Sequence, residues 1–201
     1  MKTFLTIVAI ASFAAMGTVH AAGDAEAGKT KSAMCAACHG PDGNSAAPNF
    51  PKLAGQHADY TVKQLKEFKS GERKDATMNG MAAALSEQDM ADIAAYYAAQ
   101  AVNVGTAAED KVALGETIYR AGNTASGVSA CAACHSPTGS GNPMAKFPSL
   151  SGQHADYTAA QLKNFRAGAR ANDAGSMMRG IAKKMTDEEI GAVAQYIQGL
   201  H

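Results

Sequence analysis

Cys35-Ala36-Ala37-Cys38-His39 returns 96 residues later as Cys131-Ala132-Ala133-Cys134-His135. A Cys-x-x-Cys-His pentad is the attachment signature of c-type haem. Two thiols three residues apart on a helical turn can add to the two vinyl groups along one porphyrin edge. The histidine beside the second thiol then lies under the iron as its proximal ligand. The pentads contain all four cysteines of the 201-residue chain, so no thiol remains for a disulfide or a nucleophile. Two covalently bound c-type haems are therefore expected, one per half. Cys35, Cys38, Cys131 and Cys134 are the attachment positions, and His39 and His135 bind iron. A thioredoxin-like reading needs a flanking βαβ pattern, which neither pentad has. A zinc site built from two Cys-x-x-Cys pairs is conceivable, but knuckle pairs usually lie much closer in sequence.

The N-terminus carries Lys2, an apolar run from Phe4 to Met16, and Val19-His20-Ala21. This is the charged, apolar and small-x-small pattern of an export signal, with cleavage expected after Ala21. The run is shorter than the roughly 20 residues of a spanning helix, and no later stretch is long and apolar enough. The mature protein is thus expected to be soluble and periplasmic. Residues 22–105 carry 8 basic and 10 acidic side chains, and residues 106–201 carry 9 and 8. Neither half is basic enough to suggest nucleic acid. Each half is short, alanine-rich and poor in aromatics, so a buried haem would supply much of its missing apolar surface.

The repeat extends beyond the pentads. Phe50-Pro51-Lys52-Leu53-Ala54-Gly55-Gln56-His57-Ala58-Asp59-Tyr60-Thr61 returns as Phe147-Pro148-Ser149-Leu150-Ser151-Gly152-Gln153-His154-Ala155-Asp156-Tyr157-Thr158. This is one small domain in tandem, with a period too long for a solenoid. The divisions read as a signal peptide at 1–21, a first domain at 22–100, a linker at 101–109 and a second domain at 110–201. Each unit reads as helical, and no convincing strand alternation occurs. Asp24 is a candidate N-cap for the first helix, and the second unit opens near Asp110. A Gly/Ser-rich insertion, 122–129, precedes the second pentad. Middle helices follow Asp59 and Asp156. Ser86 with Asp89 and Thr186 with Glu189 read as capping boxes for the last helices. Behind them, Met90, Ile93, Ala94 and Tyr97, like Ile190, Val193, Ala194 and Ile197, form apolar stripes at helical spacing.

The sixth iron ligand separates carrier from catalyst. Met78-Asn79-Gly80-Met81 aligns with Met178-Arg179-Gly180-Ile181, so Met78 and Met178 are the matched sulfur donors, expected in loops. Met81 and Met177 are the fallbacks. Met34, Met90 and Met185 read as core or helix-packing residues, the usual role of methionine. His57 and His154 also recur, and read as surface or capping residues or haem-propionate neighbours rather than ligands. Pro51 and Pro148 are either plain turn residues or carriers of a carbonyl that accepts the Nδ1 proton of the proximal histidine. Histidine opposite methionine favours ferrous iron, raises the reduction potential and closes the iron to substrates. No nucleophile–base set, phosphate-binding loop or second metal site accompanies it, and an enzyme is not expected.

The exported two-pentad chain, with Phe-Pro-x-Leu-x-Gly-Gln in both halves and Met-x-Gly before each last helix, resembles the dihaem cytochrome c4 family. The mature start, Ala22-Gly23-Asp24-Ala25-Glu26-Ala27-Gly28, and the end, Tyr196-Ile197-Gln198-Gly199-Leu200-His201, share that resemblance. It implies an all-α protein of two class I cytochrome c domains. Cys35, Cys38, His39 and Met78 would hold one haem, and Cys131, Cys134, His135 and Met178 the other. It also implies a monomeric periplasmic electron carrier, associated peripherally with the membrane. Electrons would pass from the cytochrome bc complex to a haem-copper terminal oxidase. The competing expectations are a dihaem peroxidase, a thiosulfate-type dehydrogenase, or the haem subunit of a larger dehydrogenase. The first two need one iron with a labile or unusual distal ligand.

Overall fold

Asp24 opens the first helix as its sequence position suggests: its Oδ1 accepts the amides of Glu26 at 2.9 Å and Ala27 at 3.3 Å. The computed structural model describes residues 22–201, so the expected signal peptide and its cleavage site lie outside the described residues. The first half contains α1 (Ala25–Lys31), α2 (Ala36–His39), α3 (Ala58–Ser70), α4 (Ala76–Ala83) and α5 (Glu87–Ala98). The second half repeats them as α6 (Glu109–Ala121), α7 (Ala132–His135), α8 (Ala155–Ala167), α9 (Met177–Ala182) and α10 (Asp187–Gly199). Among the described residues, strand pairing amounts to two isolated antiparallel bridges, Asn123 with Val128 and Asn142 with Phe147. The first of these closes the Gly/Ser-rich insertion into a tight turn. The fold is all-α.

Both expected capping boxes form. Ser86 Oγ accepts the Asp89 amide at 3.1 Å while the Asp89 carboxylate accepts the Ser86 amide at 2.9 Å. Thr186 and Glu189 do the same at 3.1 and 2.8 Å. Each box satisfies two amides that the start of a helix leaves unpaired. Behind them the expected stripes are buried. Leu65, Met90, Ile93 and Tyr97 make the first core, and Ile118, Tyr119, Met185, Ile190, Val193 and Ile197 anchor the second. On α3 the buried stripe is Thr61, Gln64, Leu65 and Phe68, half of it polar. Of the polar members, Gln64 meets Arg170 and Asn172 of the other half, and Thr61 turns back onto the His57 carbonyl.

The first and last helices of each half cross at a glycine. A Cβ on Gly28 would lie 2.0 Å from the Asp92 carbonyl oxygen, and one on Gly115 would lie 2.3 Å from that of Ala192. Backbone cannot step aside as a flexible side chain can. Gly28→Ala is therefore expected to cost about 3 kcal/mol, the upper end for overpacking, read as a lowered urea midpoint. Gly115→Ala should behave alike, whereas Gly71→Ala meets nothing within 4 Å and is strained only by its φ of +79°.

The first helix pair is also pinned by charge. Buried Asp92 accepts Lys31 Nζ at 2.6 Å and the Asp24 amide at 2.8 Å, and Lys31 also reaches Asp89 at 2.7 Å. The Lys31 hydrogen bond, ahead of the Asp24 amide and Gln88, holds the Asp92 carboxyl below the usual carboxylate range. A depressed native pKa adds stability at pH values above the ordinary value of about 3.9, and that stability disappears as pH falls through the native value. Asp92→Asn is expected to flatten the loss of stability below about pH 4. Urea midpoints measured from pH 7 to pH 2 check this.

Candidate haem sites

Each pentad folds as a single helical turn. The Cys38 and His39 amides donate to the Cys35 carbonyl at 3.2 and 3.0 Å, and those of Cys134 and His135 to the Cys131 carbonyl at 3.2 and 2.9 Å. The turn sets the two sulfurs of a pair on one side, with the histidine one turn past the first cysteine. The first turn stops at Gly40 (φ +80°), where a Cβ would come within 2.6 Å of the Asn44 oxygen. The second stops at Ser136, a serine with φ +67°.

None of the four cysteines is joined to another in a disulfide, and Cys134 is the most exposed of them. Burial raises the Cys35 thiol and pushes Cys131 up to about 11. Among the described residues, no group of three or more His, Cys, Asp or Glu side chains converges as a metal cluster. The two cysteine pairs do not meet, which leaves the zinc-knuckle reading without its donor set.

The histidines are oriented alike. His39 Nδ1 donates to the Pro51 carbonyl at 2.9 Å and His135 Nδ1 to the Pro148 carbonyl at 3.0 Å. These prolines are the two that the sequence offers for the task. Phe50 packs its ring 6.3 Å from His39 and Phe147 packs 6.2 Å from His135, contacts the sequence reading did not assign. The repeated Phe-Pro is thus one device, with a ring against the imidazole and a carbonyl on its Nδ1. Burial lowers both histidine pKa values, and the carbonyl only partly offsets it. Both rings are therefore neutral at pH 7, with the proton on Nδ1. That places the lone pair on Nε2, where an iron would need it.

The matched methionines are not in loops. Met78 lies in the first turn of α4, its amide held by the N-cap Asp75 at 3.0 Å. Met178 is the second residue of α9 and follows two left-handed residues, Gly175 and Ser176. Both helices are too short to show an apolar stripe in sequence. Met78 packs with Cys35 against the first core, and Ile181, the counterpart of Met81, packs against the second. Met177 is 44% exposed. Met90 and Met185 are core residues as expected, but Met34 is 55% exposed, because the 3-10 turn Ser32–Met34 carries it outward.

The junction of the halves is made by repeat-matched polar side chains. His57 and His154 stand at the helix starts without capping them. Their rings reach across instead, with Nε2 at 2.7 Å from the Ser140 carbonyl and 2.9 Å from that of Ser45. Arg73 and Arg170 are buried, each stacked 4.5 Å above a phenylalanine, Phe68 and Phe165. Arg73 donates to Gln64, Tyr157 and Gln161; Arg170 donates to Gln161, Tyr60, Gln64 and Asn172. Neither forms an ion pair with a carboxylate among the described residues. The sequence reading passed over both arginines, although their spacing of 97 matches the surrounding repeat. Buried positive charge without a direct counter-ion suits a bound group that carries carboxylates.

The pattern of the cytochrome c family matches residues 25–99 and again 112–201. Cytochrome c4 of Azotobacter vinelandii is 54% identical over 92% of this chain and 93% of its own length. The chain belongs to the cytochrome c4 family. The reduced cytochrome c4 crystal structure from Pseudomonas stutzeri superposes with a TM-score of 0.87 at 51% identity, covering 90% of this chain and 100% of that one. A thiosulfate dehydrogenase electron acceptor from Stutzerimonas stutzeri is 41% identical over 85% of this chain and 81% of its own length. As a cytochrome c4 relative with two cytochrome c domains, the protein carries two c-type haems and transfers electrons.

Proposed function

We propose that the protein is a periplasmic one-electron carrier, working as a monomer at the membrane surface. It would pass electrons from the cytochrome bc complex to a haem-copper terminal oxidase. The domains 22–100 and 110–201 each hold one haem, through Cys35, Cys38, His39 and Met78 and through Cys131, Cys134, His135 and Met178. When bound, each haem supplies reversible exchange of one electron between ferric and ferrous iron. The chain's own residues do the rest. The cysteine pairs would hold the porphyrin covalently, and the Pro51 and Pro148 carbonyls lock each imidazole tautomer. Met78 and Met178 would supply the sulfur donor opposite each histidine, which would leave no open site for peroxide or substrate. Arg73 and Arg170 would supply positive charge for the propionate carboxylates.

The observation that carries this reading is the equivalence of the two halves. Each has the same helical turn, the same carbonyl on Nδ1 and a methionine at the matched place of a short helix. A catalyst needs one half to differ. Similarity to a thiosulfate dehydrogenase electron acceptor favours a second reading, in which the donor is a thiosulfate dehydrogenase. Stopped-flow reduction with purified bc complex and with thiosulfate dehydrogenase, followed by oxidation with the oxidase, distinguishes the two. Rapid turnover with bc complex and oxidase is expected; reduction by the dehydrogenase alone would replace the first reading by the second.

A further inference from the structure

Gln56 and Gln153 occupy matched positions in the repeat, are each 9% exposed, and bond to the opposite half. Gln153 Oε1 accepts the Lys52 amide at 2.9 Å, and its Nε2 donates to the Lys52 carbonyl at 2.9 Å. Gln56 Oε1 accepts the Ser149 amide at 3.0 Å, and its Nε2 donates to the Ser149 carbonyl at 2.9 Å. The Lys52 N–H belongs to the same peptide group as the Pro51 carbonyl that holds His39. The Ser149 N–H likewise shares a peptide group with the Pro148 carbonyl that holds His135. Two continuous chains result, His39–Pro51/Lys52–Gln153 and His135–Pro148/Ser149–Gln56, and they cross the junction in opposite directions.

We propose that Gln56 and Gln153 are positioning residues that tune the iron of the other half. A peptide whose N–H is engaged by a good acceptor is polarised, and its carbonyl becomes the stronger acceptor. A stronger bond at Nδ1 makes the imidazole a more basic ligand. A more basic ligand favours ferric iron, so each glutamine lowers the reduction potential of the haem across the junction. Simple adhesion between halves does not require that both glutamines select the peptide beside the histidine-holding proline. The ring of His57, the next residue, binds the opposite half through the Ser140 carbonyl. The His57 amide donates to Gln56 Oε1 at 3.0 Å, a backbone bond that replacing the ring leaves in place, so the ring serves as the control.

The inference rests on His39 and His135 being the iron ligands. The test is a redox titration of the holoprotein followed by NMR, with the haem-methyl resonances of each half assigned through contacts to its own side chains. Gln153→Leu is expected to raise the potential of the His39 haem and leave the His135 haem in place; Gln56→Leu gives the mirror result. Gln153→Asn, polar but one carbon short of Lys52, should give the same crossed rise with less disturbance of packing. His57→Ala should move neither potential. A shift confined to the substituted half, an equal shift in both, the same shift in His57→Ala, or no shift overturns the proposal. A wrong ligand assignment would show separately, as a wild-type spectrum lacking two histidine-ligated c-type haems.

Discussion

Cys131→Ala combined with Cys134→Ala is expected to leave one covalent haem per chain instead of two, retained on the first half. The chain's other two thiols, Cys35 and Cys38, belong to the first pentad, so the lost attachment cannot move to a neighbouring cysteine. The loss should also weaken the second half. Cys131 and Ala132 pack against its core, and a domain of about 90 residues depends on every apolar surface it can bury. Haem stoichiometry from the pyridine haemochrome and intact mass measures the first effect. A second, earlier melting transition measures the other. Retention of two covalent haems would refute the attachment assignment outright.

Met78→Ala is expected to halve the far-red absorption that marks methionine bound to ferric iron. One ferrous iron per chain should then bind carbon monoxide, and the potential of that haem should fall, because the thioether that favours the ferrous state is gone. Met81 is the sharp control. It lies three residues further along α4, on the same face, and the second half carries Ile181 at its place. Met81→Ile should leave the far-red band intact. The reverse pattern, with the band lost in Met81→Ile and kept in Met78→Ala, would move the ligand by one turn.

The features legible in the sequence are those written in local chemistry. The pentads, the Asp24 cap and the two capping boxes each depend on residues within a few positions of one another, so spacing alone identifies them. The Pro51 and Pro148 carbonyls were legible for a related reason: the repeat singled out one Phe-Pro in each half. The expectation of loops around Met78 and Met178 failed because α4 and α9 are 8 and 6 residues long. Helices that short bury too little to leave a periodic stripe. Met34 was assigned to packing by residue type, but the tight turn before the pentad exposes it.

The junction was the least legible part. A repeat shows which positions the halves share, but it does not show which surface of one meets the other. Gln56, His57, Gln153 and His154 are polar residues in a polar turn, a pattern shared by solvent-facing helix starts. Gln56 and Gln153 are buried, and His57 and His154 half-buried, against partners about 83 to 109 positions away in sequence. Gln64 and Arg170 are hidden from sequence reasoning for the same reason: each is satisfied by side chains of the opposite half.

Two matched haem sites require both irons to be equivalent, six-coordinate and closed to external ligands. Absorption spectroscopy of the purified wild-type protein tests it most directly, with haem quantified per chain and the far-red band integrated per haem. Two haems, the full band from both in the oxidised protein, and no carbon monoxide binding in the reduced one are expected. One haem without the band that binds carbon monoxide when reduced would contradict it, and would mark that half as a catalytic centre.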